Sequence, residues 1–246
     1  MQHKTTFSFI TPTFNSEKTA KQALLSVFAQ SYQNWRMIVI DDCSTDNTQQ
    51  LVKNLFDAFG CKDKLVYVSN SSKKWEIENT LIGLSHCDKN DVVCRLDLDD
   101  YLLDNSVLEQ LNMIYSISPD VHAVWTSHRW FSEQTGLTNT NISKELPPYA
   151  DPYLHPWVSS HFKTWKKHIS DLVSDANYRG QDGSYFKRIG DQAFYLPVLK
   201  LAKIRIHIPI VSYAYRCDQN YEVFHTDDAK FQADEAKYLR HRGFIK

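Results

Sequence analysis

From residue 7 to residue 115 the chain switches repeatedly between two hydrophobic rhythms. Mostly apolar runs at 7–11, 36–40, 65–69 and 92–96 are short enough to be strands buried on both faces. Between them, 16–31, 45–59 and 75–87 place apolar residues three and four apart, as Ala20, Leu24, Val27 and Phe28 do, which predicts helices. Asn15 or Ser16 supplies the cap of the first. A further helix is expected at 105–115, with Leu108, Leu111 and Met113 on its buried side. Strand and helix in alternation predict an α/β fold with a mostly parallel sheet flanked by helices.

The rhythm weakens afterwards. Residues 121–130 read as a strand, and 136–156, polar and punctuated by proline, as a loop near the site. A helix at 191–202 should be interrupted or bent at Pro197. Residues 204–215 are β-rich, and 227–242 form a polar terminal helix. Within 161–205 nine Lys and Arg face four Asp, with Phe162, Trp165, Tyr178, Tyr185 and Phe186 interleaved. Two readings stay open: a solvated helix face over aromatic core residues, or an anion-binding groove.

Where the apolar runs end, acids begin. Val92-Val93-Cys94-Arg95-Leu96 is followed by Asp97-Leu98-Asp99-Asp100, and Met37-Ile38-Val39-Ile40 by Asp41-Asp42. Unpaired carboxylates cost several kcal/mol to bury, so these acids belong at strand ends, facing a ligand. Asp97 and Asp99, two apart on extended chain, project to one side and can share a divalent cation, or divide cation and sugar hydroxyl between them. Asp104 fits better as a helix cap. Ligands on open parallel sheets bind beyond the carboxyl ends of the strands, which sets Thr11-Pro12-Thr13-Phe14-Asn15, Asp41-Asp42 and Asp97-Leu98-Asp99 along one rim.

Composition narrows the chemistry. The net charge of −1 offers no global attraction for a polyanion, and seven glycines form neither a Gly-x-Gly-x-x-Gly nor a phosphate-loop pattern. Bound phosphate would need a metal and cationic side chains. Five scattered cysteines without a Cys-x-x-Cys pair argue for reduced thiols. The N-terminal run lacks a secretory pattern and no stretch approaches ~20 apolar residues, so a cytoplasmic protein without an integral membrane segment is expected.

The order of these motifs resembles glycosyltransferase family 2. The resemblance rests on Ile10-Thr11-Pro12-Thr13-Phe14-Asn15, Ile38-Val39-Ile40-Asp41-Asp42-Cys43-Ser44-Thr45-Asp46, Asp97-Leu98-Asp99-Asp100 and, more weakly, Gly190-Asp191. It implies a Rossmann-like GT-A fold, here one domain over 1–246: a nucleotide-sugar-binding half (1–115), an acceptor and catalytic half (116–225) and a C-terminal helix (226–246). It further implies that Thr11, Pro12, Thr13 and Asn15 line the nucleotide pocket with Asp42 and Arg95. Asp41 would accept a hydrogen bond from the base, Asp97 would hold ribose or sugar, and Asp99 would ligate Mn²⁺ or Mg²⁺. Asp42 and Asp46 could equally close a turn and cap a helix.

Asp191 stands where the family places its catalytic carboxylate, usually after an acid that is Gly190 here, and is either the base or an N-cap. Relatives often carry Tyr-Arg-x-His, whereas this chain reads Tyr215-Arg216-Cys217-Asp218, leaving Asp218, His225 or water as a further metal ligand. Trp157, His161 and Asp182 occupy the stretch expected to meet the acceptor. The implied function is metal-dependent, inverting transfer of one sugar from a nucleotide diphosphate, UDP foremost, to a saccharide or lipid-linked hydroxyl. The rivals are glycosylation of a modified base in DNA, through the basic aromatic segment 161–205, and a binding module without chemistry.

Overall fold

The computed structural model describes residues 4–217 and 227–246. The expected alternation is present: β1 (Phe7–Thr13), α1 (Ala20–Phe28), β2 (Trp35–Asp41), α2 (Thr48–Ala58), β3 (Leu65–Ser69), α3 (Trp75–Ser85) and β4 (Val92–Arg95). After them come β5 (Tyr101–Leu102), α4 (Val107–Ile117), β6 (Val121–Ser132), β7 (Gly136–Leu137), β8 (Lys163–Lys166), α5 (Lys167–Ser170), α6 (Gly190–Leu201), β9 (Ile204–Arg216) and α7 (Asp227–Arg242).

One sheet runs β3-β2-β1-β4-β8-β6-β9-β5, parallel from β3 to β4. Its apolar runs are continuous because both faces are covered and successive side chains alternate between two cores. Phe7, Phe9, Met37 and Val39 pack on one face with Leu24, Phe56 and Leu111, whereas Ile10, Ile38 and Ile40 pack on the other with Ile77, Trp125 and Trp165. Helix α3 lies close on that second face at Gly83, where a Cβ would come within 2.6 Å of Ile10 Cγ2.

Three expectations are corrected. Met113 is half-exposed, since α4 buries Val107, Leu108, Leu111 and Tyr115 and position 113 falls off that stripe. Helix α6 continues through Pro197, whose neighbours from Ala193 to Leu199 are all buried, so packing outweighs the lost hydrogen bond. The segment 161–205 is neither one solvated helix face nor an open groove: its first part is β8, antiparallel between β4 and β6. Phe162 and Trp165 are core residues there and Lys163 is buried with them. The loop after β7 is pinned to the sheet, Trp125 Nε1 donating to the Lys144 and Val158 carbonyls at 3.1 Å each.

Candidate active site

The carboxyl ends of β1 and β2 form a rim stitched by side chains. Thr11 is fully buried, and its hydroxyl has no partner among the described residues. Pro12 follows it on β1, and Thr13 donates to Ser16 Oγ at 2.7 Å. Asn15, at a positive φ of 50°, accepts from Thr45 N at 2.8 Å and gives its own N–H to Ser44 Oγ. Asp41 accepts from Ser44 N and Tyr67 OH, both at 2.8 Å. Asp42 is occupied by the chain itself: Asn70 Nδ2 and the N–H groups of Lys74 and Trp75 all donate to it. That anchor holds Trp75 in the left-handed region (φ 65°), a strained conformation for a bulky residue, and so fixes the start of α3. Asp46 acts as the turn-and-cap reading foresaw, accepting from Thr48 N, Thr48 Oγ1 and Glu17 N. Asp104 likewise receives Ser106 N before α4.

Beyond β4 three carboxylates offer oxygens that lie within 4.8 Å of one another, those of Asp97, Asp99 and Asp100. Their surroundings differ. Asp97 is ion-paired to Arg95 Nη2 at 2.7 Å. Asp100 accepts from Tyr213 OH at 2.6 Å and Arg216 N at 2.7 Å, which ties the acidic loop to β9. Arg216 also donates from Nε to the Asp99 carbonyl at 2.9 Å. The Asp99 carboxylate remains the least engaged of the three. Burial, and next the charge of Asp97, raise its pKa to about 6. A hard cation suits this set, because it would satisfy Asp99 and relieve the repulsion. Asp218 and His225, the remaining ligand candidates, lie outside the described residues.

Asp191 is not the N-cap, which is Ile189, but the second residue of α6, and it makes an ion pair with Lys163 of β8, a side chain only 3% exposed. Burial opposes the charge of Asp191, but the Lys163 ammonium, through its charge and its hydrogen bond, together with Arg95 outweighs it and holds the carboxyl at about 2. His161 lies behind this pair, stacked on Tyr213 and Tyr215 with ring centroids 4.8 and 5.0 Å away. Burial, followed by the charge of Lys163, keeps it well below the usual histidine range, as a neutral ring. The charge of Asp191 also weighs on Asp97, so both acids share one electrostatic neighbourhood centred on Arg95.

The three acceptor candidates part company. Trp157 borders a surface pocket of about 370 Å³ with Tyr153, Leu154, Gln192 and Arg240, one residue from Asp191. His161 is buried inside the site, and Asp182 closes an exposed turn by accepting from Ser184 N and Ser184 Oγ. Sequence reasoning missed Lys163, Glu76 and Tyr213. No local signal marked them, because each enters the site from an element whose place is set by tertiary packing.

Lys163→Met should raise the pKa of Asp191 from about 2, since burial would then be opposed by the more weakly acting Arg95 without the Lys163 ion pair. The native depression stabilises the fold above pH 3.8 and is lost as pH falls towards 2; in the variant that contribution shrinks. Carboxyl ¹³C titration by NMR reads the shift directly, and an unchanged titration would show that Lys163 does not control Asp191.

Comparison with known proteins joins this geometry to the sequence pattern. An "Uncharacterized glycosyltransferase" of Haemophilus influenzae is 34% identical over 110 residues, 44% of this chain and 41% of that protein. The Escherichia coli "UDP-Glc:alpha-D-GlcNAc-diphosphoundecaprenol beta-1,3-glucosyltransferase WfgD" is 29% identical over 107 residues, again 44% of this chain and 40% of its own. This chain thus spans about two-fifths of the length of these curated relatives. The crystal structure of S. aureus TarS 1-349 in complex with UDP-GlcNAc superposes with a TM-score of 0.67 at 19% identity, over 96% of this chain and 72% of that one, which establishes the expected GT-A fold. The family model "Glycosyl transferase family 2" matches residues 8–149, more than half the chain and the whole of the rim from Thr11 to Asp100, and the chain belongs to that family.

Proposed function

We propose that this protein transfers a single sugar from a nucleotide diphosphate to an acceptor hydroxyl, with inversion at the anomeric carbon. The observation that supports the reading is that Arg95 links the two sets: it lines a pocket with Asp191, a base candidate, and ion-pairs at 2.7 Å to Asp97, which offers an oxygen within 4.8 Å of one of Asp99, the metal candidate. Thr11, Pro12, Thr13 and Asn15 line the nucleotide side, with Asp41 for the base and Arg95 beside Asp97 for the sugar. UDP is the donor nucleotide favoured, since WfgD is named for UDP-Glc and TarS was crystallised with UDP-GlcNAc.

Asp191 takes the proton of the acceptor hydroxyl as its oxygen bonds to the anomeric carbon, while the carbon–oxygen bond to the diphosphate breaks with its electron pair. Asp99, with Asp97 adjacent, would hold Mn²⁺ or Mg²⁺, which would supply Lewis-acid stabilisation to the departing diphosphate. Lys163 keeps Asp191 ionised throughout the physiological range. We assign the acceptor to the pocket beside Trp157, an aromatic face bordered also by Gln192, the residue after Asp191 in the chain. A saccharide or lipid-linked acceptor fits that surface and matches the diphosphoundecaprenol named for WfgD. The DNA alternative loses its carrier, because His161, Phe162, Lys163 and Trp165 are buried in and around β8 instead of lining an exposed groove. Among the described residues no helix is long and apolar enough to cross a membrane. A cytoplasmic reaction, where nucleotide sugars are at hand, is the setting we favour.

A panel of UDP-, GDP-, CDP- and dTDP-sugars, each with Mn²⁺ and with excess chelator, tests the proposal. One UDP-sugar should raise the melting temperature by about 5–10 °C at a hundredfold excess over its Kd, and should be slowly hydrolysed only in the metal arm. Absence of any donor response would overturn the reading in favour of a module without chemistry.

A further inference from the structure

Gly190 has no room for a side chain, and the atoms that exclude one belong to Glu76. A Cβ built on Gly190 would lie 2.0 Å from Glu76 Oε2, 2.1 Å from its Cδ and 2.7 Å from its Cγ. Helix α3 therefore delivers a carboxylate into the volume that residue 190 would otherwise fill, directly before Asp191. Glu76 Oε1 accepts from Arg95 Nη2 at 3.3 Å, the same nitrogen that meets Asp97 Oδ1 at 2.7 Å. Arg95 is 7% exposed, and its Nε and Nη1 have no acceptor among the described residues. Two carboxylates on one nitrogen are thus what orients this buried guanidinium. Glu76, Arg95, Lys163, Gly190 and Asp191 line a common enclosed pocket, yet the Glu76 side chain keeps 31% of its surface exposed.

We propose that Glu76 is a positioning residue of the transfer site: its carboxylate takes the place of a side chain at position 190 and, through Arg95, sets the orientation of Asp97. The inference rests on the transferase reading above. Its delivery is built in from far along the chain, because Asp42 clamps the N–H groups of Lys74 and Trp75 and so fixes the turn of α3 that carries Glu76. The carboxylate is held at the helix N-terminus, where negative charge is favoured. Burial, opposed by Arg95 and assisted by the charges of Asp191 and Asp97, raises its pKa to about 7, in keeping with a crowded acidic site.

The test moves the carboxylate from one chain position to the other. Glu76→Ala should lower kcat about 100-fold, the scale expected when a substrate-holding group shifts by about 1 Å, and Glu76→Gln should retain most of that loss-prone geometry and fall only a few-fold. Gly190→Glu alone crowds two carboxylates into one volume and should be the least stable of the set. The double variant Glu76→Ala/Gly190→Glu should recover kcat to within a few-fold of the native chain, together with stability. A double variant no faster than Glu76→Ala, or a Glu76→Ala chain with native kcat, overturns the proposal. Recovery of stability without recovery of kcat also overturns it, because that would make Glu76 a packing residue only. A native chain inactive on every donor refutes the transferase reading instead, and the melting temperatures of the four proteins then still decide whether the two positions exchange one carboxylate.

Discussion

Asp191→Asn should slow transfer by about 10²–10⁴-fold, the usual worth of a positioned general base, while donor binding measured by thermal shift stays close to native. Asparagine keeps the shape and can still meet Lys163, so the fold is preserved and what disappears is the proton acceptor. A carboxyl held at about 2 is a weak base towards a resting hydroxyl. It is nevertheless ionised at every pH where the enzyme would work, and the hydroxyl becomes acidic only as its oxygen bonds to carbon, so the proton moves late. Lys163 trades basicity for constant readiness, and it also fixes where the carboxylate points. Turnover of Asp191→Asn within tenfold of the native rate would remove Asp191 from the reaction and leave it as an acid in the first turn of α6.

How much of this was legible beforehand follows from which interactions are local. Strands β1 to β4 could be read because Ile38, Val39 and Ile40 form an unbroken apolar run that only a two-faced core explains, and the acids after such runs had to lie at the rim. Asp99 was legible for the same reason. Lys163 was not: a four-residue strand of alternating lysine, threonine and tryptophan carries almost no periodic signal, and its burial depends on pairing with β4 and β6, distant in sequence. Glu76 looked like an ordinary acid in the first turn of a helix, and nothing local shows that the turn faces Gly190. Asp42 was legible as an acid at a strand end, but its partners, the N–H groups of Lys74 and Trp75, stand more than thirty residues away.

Loss of the carboxylate should act in opposite ways at the neighbouring acids Asp99 and Asp100, and this is the strongest separation the site predicts. Asp100 is a structural tie: Asp100→Ala strands the Tyr213 hydroxyl and the Arg216 N–H in a buried place, a loss of about 2–6 kcal/mol at about 1–3 kcal/mol for each unsatisfied group, offset only in part by relief of the burial and the repulsion from Asp99 and Asp97 that raise the Asp100 pKa. Its melting temperature should fall by about 2–4 °C for each kcal/mol. Asp99→Asn should do the reverse in metal-free protein. With a pKa raised from 3.8 to about 6, Asp99 costs the fold stability as pH rises through that interval and the carboxylate ionises against burial and Asp97. An uncharged amide removes the cost, so the metal-free variant should melt at or above the native temperature at pH 7. Added Mn²⁺ should stabilise the native chain and leave Asp99→Asn unmoved, and metal-dependent donor hydrolysis should drop by at least about 10²-fold, as expected when stabilisation of the leaving group is lost. Melting curves at pH 7 with and without Mn²⁺ check both halves at once. A metal response retained by Asp99→Asn would move the ligand elsewhere, and a metal-free Asp99→Asn that melts well below the native chain would make Asp99 a second structural tie, an acid kept for the fold at the place where the donor's charge must be met.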